Sequence, residues 1–539
     1  MLLIVIDQFR YDYLERFGDL FGSRGIRRLM NEGACWLNAN YDHTPTVTAP
    51  GHAAIMTGAT PAGSGIVANE WIDRQLTKKV TSVTDDKVKA LAGGPKEPSY
   101  SPHFLLGSTV GDELRRATGD RAKVIGISEK ARAAILPAGR RASAAYWISA
   151  NTGTFVSSDY YFPNMPGWVR EFNSTRPANK YFGDRWERLL PEQPYLKHAG
   201  PDSPPWENIG EIKGENNTFP HIITGGSRGP DPDFYDALNH SPFLNQLIVS
   251  FATQAIMSEE IGQDEYTDVL TVSLSANDHI GHRFGPFSQE VMDAALRADH
   301  EIGLLLDLLE ARVGLRNSIV IFTADHGVAP LPDHSAVLGP GGKGILSATI
   351  LNAIRAAISA RYNRGQKLPD PTADYILKYD KDTDALINGN LYFNLAALRR
   401  DGVRFEEIQE VAGKAALQVP GIARYFTRAK LQRGAVSKTD PIARRVLHGF
   451  HPERSGDVII ILQPFKYIGG ASNLARHGSP YSYDTHVPLI ILGGSFRPGR
   501  YPQTASPADV APTLAAVLAI KAPGRSSGRV LVESLKTKR

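Results

Sequence analysis

The sequence predicts an α/β fold in which helices flank a mainly parallel central sheet. Short apolar, β-branched segments alternate along the chain with segments of helical periodicity, which is the pattern of successive βα units. The composition agrees with this class, because 42% hydrophobic and 22% charged residues are typical of an ordinary globular protein and exclude collagen-like, disordered and coiled-coil chains. We expect one domain over residues 1–539, enlarged by insertions.

Four predicted strands each lead into a polar residue of catalytic or metal-binding type. They are residues 2–6 before Asp7, residues 124–127 before Lys130, residues 269–274 before Asp278 and residues 319–322 before Asp325. In open α/β sheets, ligand-binding groups gather beyond the carboxyl ends of the strands. We therefore expect these four side chains at one rim of the sheet.

A helix is predicted for residues 288–312. Its apolar residues recur at helical spacing, Ser288 can cap its start and Gly314 can follow its end. This helix is expected to pack on the sheet.

Two segments depart from the alternation of strands and helices. Residues 160–242 are rich in Pro, Gly, Asn and aromatic residues and show little periodicity, which favours an insertion near the active-site rim. A second insertion is expected over residues 331–466, and a closing helix near residues 509–518.

Charge and cysteine content exclude several classes of protein. Sixty Lys and Arg residues against 56 Asp and Glu residues leave a net charge of +4, too small for a nucleic-acid-binding surface without a clustered basic stripe, and no stripe is evident. Cys35 is the single cysteine, so an intrachain disulfide and a cysteine-based zinc site are excluded. The longest apolar runs fall far short of the ~20 residues that a membrane helix needs.

The N-terminus lacks the basic and long apolar regions of a signal peptide. From these residues alone, we expect either a cytosolic protein or one whose export signal is missing from this chain.

Aspartate and histidine residues recur in positions that suit a metal site. They are Asp7, Asp278 with His282, Asp325 with His326, and the late His486. The four-residue spacing of Asp278 and His282 places both on one face of a helix. Borderline cations such as zinc accept this mixture of imidazole and carboxylate. One such pair is more often a buried hydrogen bond, but the repetition after separate strands favours metal binding.

Thr48 is the candidate nucleophile. It stands where an N-cap would precede Pro50 at the start of a short helix that Gly58 can end. Capping alone would explain it. However, a hydroxyl beside the positive end of a helix also favours an alkoxide and binds phosphate oxygens, and next to a metal it can act as a nucleophile.

Several motifs, in their order along the chain, resemble those of the alkaline phosphatase superfamily. They are Asp7, T-A-P-G-H-A-A-I-M-T-G at Thr48, Asn69 in G-I-V-A-N-E-W, S-A-N-D-H-I-G-H-R-F-G-P, T-A-D-H-G and H-G-S-P-Y-S-Y-D-T-H-V-P. They are most similar to the threonine-nucleophile phosphatases and the related nucleotide pyrophosphatase/phosphodiesterases. The resemblance covers nearly the whole chain.

The resemblance implies two zinc ions. One is expected on Asp278, His282 and His486, and the other on Asp7, Asp325, His326 and the Thr48 oxygen. The three aspartates and a Thr48 alkoxide would then balance the charge of two Zn²⁺ ions. Three further histidines do not match ligand positions and are expected to support the ligands or the fold: His52, His279 and His477.

The resemblance also implies a function. Lys130 and Arg132 match the Lys-x-Arg element of the monoesterase branch, and Asn69 is the third group expected to touch phosphate oxygens. We expect a zinc-dependent phosphomonoesterase that acts on small phosphate monoesters through a phosphothreonine at Thr48, is periplasmic or secreted, and has an alkaline pH optimum. A phosphodiesterase or nucleotide pyrophosphatase with the same metals is the alternative, against which Lys130 and Arg132 argue.

Two other classes are less favoured. A non-catalytic binding protein with this fold would lack Thr48 or several ligands, and a sulfatase would carry a modified Cys or Ser in place of Thr48.

Overall fold

The computed structural model describes residues 1–207, 216–339, 341–363, 374–380, 383–470 and 472–536. Its strands, numbered in chain order, are β1 Leu2–Ile6, β2 Ala34–Ala39, β3 Glu70–Asp73, β4 Lys78–Thr81, β5 Ala90–Leu91, β6 Val124–Ser128, β7 Ala144–Ile148, β8 Phe155–Ser158, β9 Arg185–Trp186, β10 His221–Ile222, β11 Val269–Leu274, β12 Ile319–Thr323, β13 Lys378–Asp380, β14 Thr383–Asp384, β15 Leu386–Ile387, β16 Asn390–Leu391, β17 Ile422–Thr427, β18 Val458–Leu462, β19 Leu489–Gly493 and β20 Gly499–Ala505.

The α-helices, also in chain order, are α1 Tyr13–Arg16, α2 Ile26–Glu32, α3 Thr48–Thr57, α4 Pro61–Ser64, α5 Val110–Ala117, α6 Ala131–Ala138, α7 Gly167–Ser174, α8 Glu192–His198, α9 Pro232–Asn239, α10 Phe243–Ser258, α11 Ala276–Phe284, α12 Gln289–Arg312, α13 Pro332–Leu338, α14 Ser347–Tyr362, α15 Leu395–Arg400, α16 Phe405–Leu417, α17 Arg428–Gln432, α18 Pro441–Gly449, α19 Ser482–Thr485 and α20 Val510–Leu518.

A ten-stranded sheet forms the centre of the molecule, in the order β20-β2-β19-β12-β1-β11-β6-β7-β8-β5. Its middle five strands, from β12 to β7, are parallel to one another. Strands β19 and β8 run antiparallel to their neighbours and give the sheet its mixed character. The predicted α/β class is confirmed, and the four predicted strands correspond to β1, β6, β11 and β12.

Strand β1 shows why the middle of the sheet is stable. Leu2, Ile4 and Ile6 belong to one hydrophobic cluster, whereas Leu3 and Val5 belong to another, so alternate side chains are buried on opposite faces. Each such side chain contributes roughly 1.5–3 kcal/mol when it is fully buried. The run of five apolar residues therefore fixes a central strand, and the chain can expose polar groups only where this strand ends.

Helix α12 is the helix predicted for residues 288–312. Ser288 caps it as expected, because its hydroxyl accepts a hydrogen bond from the Val291 N–H at 3.1 Å. Ile302 and Leu305 are completely buried in the core on one face of the sheet. The helix thus packs on the sheet, as its periodicity predicts.

The two predicted insertions lie outside the ten-stranded sheet. The described residues of the segment 160–242 form short helices and the small β9–β10 pair. The segment over residues 331–466 contributes a four-stranded sheet, in the order β15-β16-β18-β17, with α14 and α16 packed in a separate hydrophobic core. The boundaries of both insertions remain predictions. Within the described ranges, no helix has the length and apolarity to span a bilayer.

Candidate active site

The ends of neighbouring parallel strands bring acidic and basic side chains together. Asp7 follows β1, Lys130 follows β6, Asp278 lies in the first turn of α11 after β11, and Asp325 follows β12. The Lys130 ammonium lies 2.7 Å from Asp7 Oδ2 and also contacts Asp278 Oδ2. The backbone N–H of Gln8 donates to Asp325 Oδ1 at 3.1 Å. The four predicted side chains therefore do meet at one rim.

The first group of potential metal ligands consists of Asp7, Asp325 and His326. His326 Nε2 lies 3.4 Å from Asp7 Oδ1 and 3.4 Å from Asp325 Oδ2, and all three side chains are fully buried. These three atoms have no hydrogen-bond partner among the described residues. Buried polar atoms without partners are costly, so their convergence indicates a place for a cation.

The second group consists of Asp278, His282 and His477. Asp278 Oδ1 lies 3.2 Å from His282 Nε2 and 3.7 Å from His477 Nε2. In each of the two groups, one ligand atom from every member lies within 4.8 Å of the others. The first group offers two carboxylates and one imidazole, and the second offers one carboxylate and two imidazoles. Both donor sets suit zinc.

The prediction that His486 joins this second group is wrong. Its Nε2 lies 3.1 Å from the carbonyl oxygen of Leu37, and its ring stacks on Tyr11 with the ring centroids 4.2 Å apart. His477 occupies the expected place, although the sequence reading gave it only a supporting role. The two histidines flank the same motif, and nothing in residue spacing distinguishes the one that turns inward.

The three clustered histidines are held in one tautomer. In each ring Nδ1 faces a backbone carbonyl oxygen, namely Ala475 for His282 at 2.6 Å, Gly327 for His326 at 2.9 Å and Thr46 for His477 at 2.9 Å. Because a carbonyl only accepts, Nδ1 carries the proton and the Nε2 lone pair points toward the carboxylates. This is the arrangement that metal-ligating histidines normally have.

The charges of the site also favour cations. Burial, together with the nearby charges of Asp278 and Asp325, raises the pKa of Asp7 to about 6. Burial acts in the same direction on Asp278, but His282 and Lys130 outweigh it and hold the pKa of that carboxyl well below its usual range. Buried carboxylates that repel one another require positive partners. Lys130 is one such partner, and bound cations would supply more.

Thr48 begins helix α3 beside the first ligand group. The N-cap is Val47, so Thr48 is the first helical residue and not the predicted N-cap, and no side chain caps this helix. A Cβ at Gly51 would lie only 2.3 Å from the carbonyl oxygen of Asp325, so a glycine is needed for α3 to approach Asp325 this closely. Asn69 Oδ1 accepts a hydrogen bond from the Ala49 N–H at 2.8 Å.

Several neighbouring groups support these residues. His52 Nδ1 lies 2.9 Å from the Thr48 carbonyl oxygen and 3.2 Å from Asp325 Oδ2, so His52 supports a candidate ligand, as expected. His279 Nε2 lies 3.2 Å from Glu129 Oε2, next to Lys130. Burial favours the neutral form of Glu129, but His279 and the charges of Lys130 and Arg132 outweigh it and lower its pKa. Arg132 is half-buried in the first turn of α6.

A cavity of about 570 Å³ opens onto the second ligand group. Asn69, His282 and His477 line it, together with residues of the 331–466 segment such as Tyr379 and Asn388. The site therefore has room for a small organic ester, part of whose surroundings comes from that segment.

Comparison with known proteins identifies the family. The family model described as type I phosphodiesterase / nucleotide pyrophosphatase matches residues 1–480. The chain belongs to this family. Alkaline phosphatase PhoV of Synechococcus elongatus is 35% identical over 99% of this chain and 92% of its own length. A Myroides odoratus family member named calcium-transporting ATPase is 33% identical over 99% of this chain and 94% of its own length.

The family member PafA provides a solved structure. Alkaline phosphatase PafA of Elizabethkingia meningoseptica is 31% identical over 98% of this chain and 93% of its own length. The crystal structure of wild-type PafA superposes with a TM-score of 0.89 at 29% identity, covering 99% of this chain and 98% of that chain. A solved PafA variant with a TM-score of 0.88 is described as substituted at a Thr, an Asn, a Lys and an Arg. The predicted resemblance to threonine-nucleophile alkaline phosphatases is thus confirmed.

Proposed function

We propose that this chain is an alkaline phosphatase, a phosphomonoesterase that acts on small phosphate esters. The observation that carries the proposal is the position of Lys130, whose ammonium contacts a carboxylate of each ligand group. A phosphoryl group between the two ligand groups would therefore meet a buried positive charge. Relatives named alkaline phosphatase, matched over 92% and 93% of their length, support the same conclusion.

The donor sets fit two zinc ions. Asp278, His282 and His477 would hold one ion, and the other would be held by Asp7, Asp325, His326 and the Thr48 oxygen. Bound there, the two ions would supply Lewis-acid charge to the attacking and leaving oxygens.

Thr48 would provide the nucleophile. Its Oγ forms a bond to phosphorus while the bond from phosphorus to the leaving-group oxygen breaks. The proton of the Thr48 hydroxyl passes through solvent to the leaving oxygen, which gives a phosphothreonine and an alcohol. Water then attacks phosphorus and the bond to Thr48 Oγ breaks. One proton of the water passes to Thr48 Oγ, and inorganic phosphate is released. The N-terminal end of α3 favours negative charge on both Thr48 Oγ and the phosphoryl oxygens.

Three side chains would hold the non-bridging oxygens. Asn69 Oδ1 is already engaged by the Ala49 N–H, which leaves the amide Nδ2 free to donate. Lys130 and Arg132 would add two positive charges for a monoester dianion. The substituted Thr, Asn, Lys and Arg of the PafA variant occur in the same order as Thr48, Asn69, Lys130 and Arg132, and in both chains one residue separates the Lys from the Arg.

The phosphodiesterase alternative is tested by removing the charges that favour a dianion. The double variant Lys130→Ala with Arg132→Ala should lower kcat/KM for p-nitrophenyl phosphate by at least 10²–10³-fold, the usual cost of one preorganised donor. It should lower kcat/KM for the bis-ester far less, since a diester carries one charge.

A matched control is Arg141→Ala, which removes an arginine from an exposed ion pair with Asp120 and should change neither rate. Equal losses of kcat/KM on the two esters, or a parent enzyme that prefers the diester, would contradict the proposal and favour the phosphodiesterase hypothesis.

We further propose that the enzyme acts outside the cytoplasm, in the periplasm or as a secreted protein, and that its pH optimum is alkaline. Fractionation of cells that express the gene with its natural upstream sequence tests the first point, and a pH–rate profile tests the second. Activity confined to the cytosol, or a maximum below pH 7, would contradict them.

A further inference from the structure

Gln8 lies between the two ligand groups and contacts both. Its backbone N–H donates to Asp325 Oδ1 at 3.1 Å, and its side-chain Nε2 donates to Asp278 Oδ1 at 2.6 Å. Asp325 belongs to the first ligand group and Asp278 to the second. One residue therefore donates hydrogen bonds to two carboxylates, one after strand β12 and the other after strand β11.

The backbone of Gln8 is strained. Its φ is +65°, in the left-handed region that side chains other than glycine seldom adopt, and the residue is 2% exposed. This turn comes directly after Asp7, at the residue whose N–H donates to Asp325. Glycine would adopt this φ at lower cost, so the structure tolerates strain at a position where a long amide side chain is present.

Helix α11 packs directly against the Gln8 side-chain amide, at Gly281. A Cβ at Gly281 would lie 2.0 Å from Gln8 Oε1, so a residue with a side chain at position 281 would displace either the helix or the amide. Asp278 stands on the same helix, one turn earlier. The absence of a side chain at position 281 therefore leaves room for the Gln8 amide beside the Asp278 carboxylate.

We infer that Gln8 is a positioning residue, which orients the Asp278 and Asp325 carboxylates toward the cations that the two ligand groups would hold. The inference rests on the function proposed above. Gln8 is buried and donates hydrogen bonds to both carboxylates, so it acts through Asp278 and Asp325. Groups that hydrogen-bond to ligating carboxylates typically change metal affinity or activity by 10–100-fold when they are removed.

The test compares Gln8→Gly and Gln8→Met with the parent enzyme. Glycine removes both the amide and the strain but keeps the N–H bond to Asp325, whereas methionine keeps the length of the side chain without its polar atoms. In both variants we expect kcat for p-nitrophenyl phosphate to fall 10–100-fold with KM within about twofold, and zinc release to a chelator to accelerate by a similar factor. The metal-free Gln8→Gly protein should melt close to the temperature of the parent, because the relief of strain offsets the loss of the buried side-chain contacts.

Two results would overturn the inference. In the first, both variants keep the kcat and zinc-release rate of the parent. In the second, metal-free Gln8→Gly melts far below the parent, which would show that the residue serves the fold. The proposed function is judged separately on the parent enzyme: a parent that binds no zinc and hydrolyses no monoester would overturn the function and, with it, the role of Gln8.

Discussion

Replacing Lys130 with methionine should destabilise the metal-free protein much more than the zinc-loaded one. Lys130 is 7% exposed, and its ammonium neutralises Asp7 at 2.7 Å as well as Asp278. At pH 8 both carboxylates are ionised, since the pKa of Asp7, raised by burial and by Asp278, is about 6. Removing one partner from a buried ion pair typically costs about 3–5 kcal/mol. With two zinc ions present the carboxylates keep positive partners, and the loss should be about 1 kcal/mol or less.

The two stability losses close a thermodynamic cycle with zinc binding. Their difference, about 2–4 kcal/mol, equals the gain in total zinc-binding free energy, so Lys130→Met should bind zinc roughly 30- to 700-fold more tightly than the parent. The affinity rises because the ammonium no longer competes with the ions for Asp7 and Asp278. Turnover of monoesters should nevertheless fall, since the same ammonium is proposed to hold the phosphate.

The assay is urea unfolding at pH 8 with and without zinc, beside a chelator competition for zinc. Lys79→Met is the matched control, because its ammonium lies 3.0 Å from Glu70 in an exposed pair that is worth only about 0–1 kcal/mol. Equal losses of unfolding free energy in the metal-free and zinc-loaded proteins would contradict this prediction. Weaker zinc binding by Lys130→Met would contradict it as well.

The remaining predictions concern the ligands and a buried acid remote from them. His477→Ala should lose about one equivalent of bound zinc together with turnover, whereas His486→Ala should keep both, and metal analysis of the two variants distinguishes these positions. Chelation should abolish activity and zinc should restore it, and recovery with magnesium or calcium alone would indicate an oxygen-rich site instead. Burial raises the pKa of Glu301 to about 7, so the contribution of Glu301 to folding stability declines as the pH rises from about 4.5 to 7. Glu301→Gln should therefore raise the free energy of unfolding by on the order of 2 kcal/mol at pH 8 and by little at pH 4. Thermal unfolding at the two pH values measures this difference.

The central sheet was predictable because its strands are buried on both faces. Residues of β1 form a continuous apolar run, residues of β11 are apolar except for Thr271 and Ser273, and the polar residues that follow each strand must lie at the edge where the strand ends. This simple rule places Asp7 and Asp278 at one rim. Strand direction is not encoded in such a run, so the antiparallel course of β19 could not be read from its apolar residues.

The site was predictable for those ligands that lie at the end of a strand or within one helical turn of another ligand. Asp278 and His282 meet because four residues make one turn of α11, and Asp325 is adjacent to His326. The choice between His477 and His486 depends instead on which ring finds a carbonyl for Nδ1 and which one stacks on a surface tyrosine. Those are tertiary contacts, and residue spacing carries no information about them.

Gln8 could not be found from the sequence for a similar reason. A glutamine after a strand has no metal-binding or catalytic signature, and its positive φ and its contact with Gly281 exist only in the folded chain. Thr48 was identified as a residue at the start of a helix, but its exact place was one position off, because Val47 provides the N-cap with its backbone alone.

The most direct test of the account is to locate the phosphate on the enzyme after reaction with a monoester. The zinc-loaded protein is mixed with substrate at low pH, quenched in acid and digested, and the phosphorylated peptide is sequenced by mass spectrometry. Thr48→Ala, which should keep the fold and the aspartate and histidine ligands, is treated in parallel. We expect phosphate on Thr48 of the parent and neither label nor turnover in the variant. Phosphate on another residue, or a Thr48→Ala protein that hydrolyses monoesters at the parent rate, would contradict it.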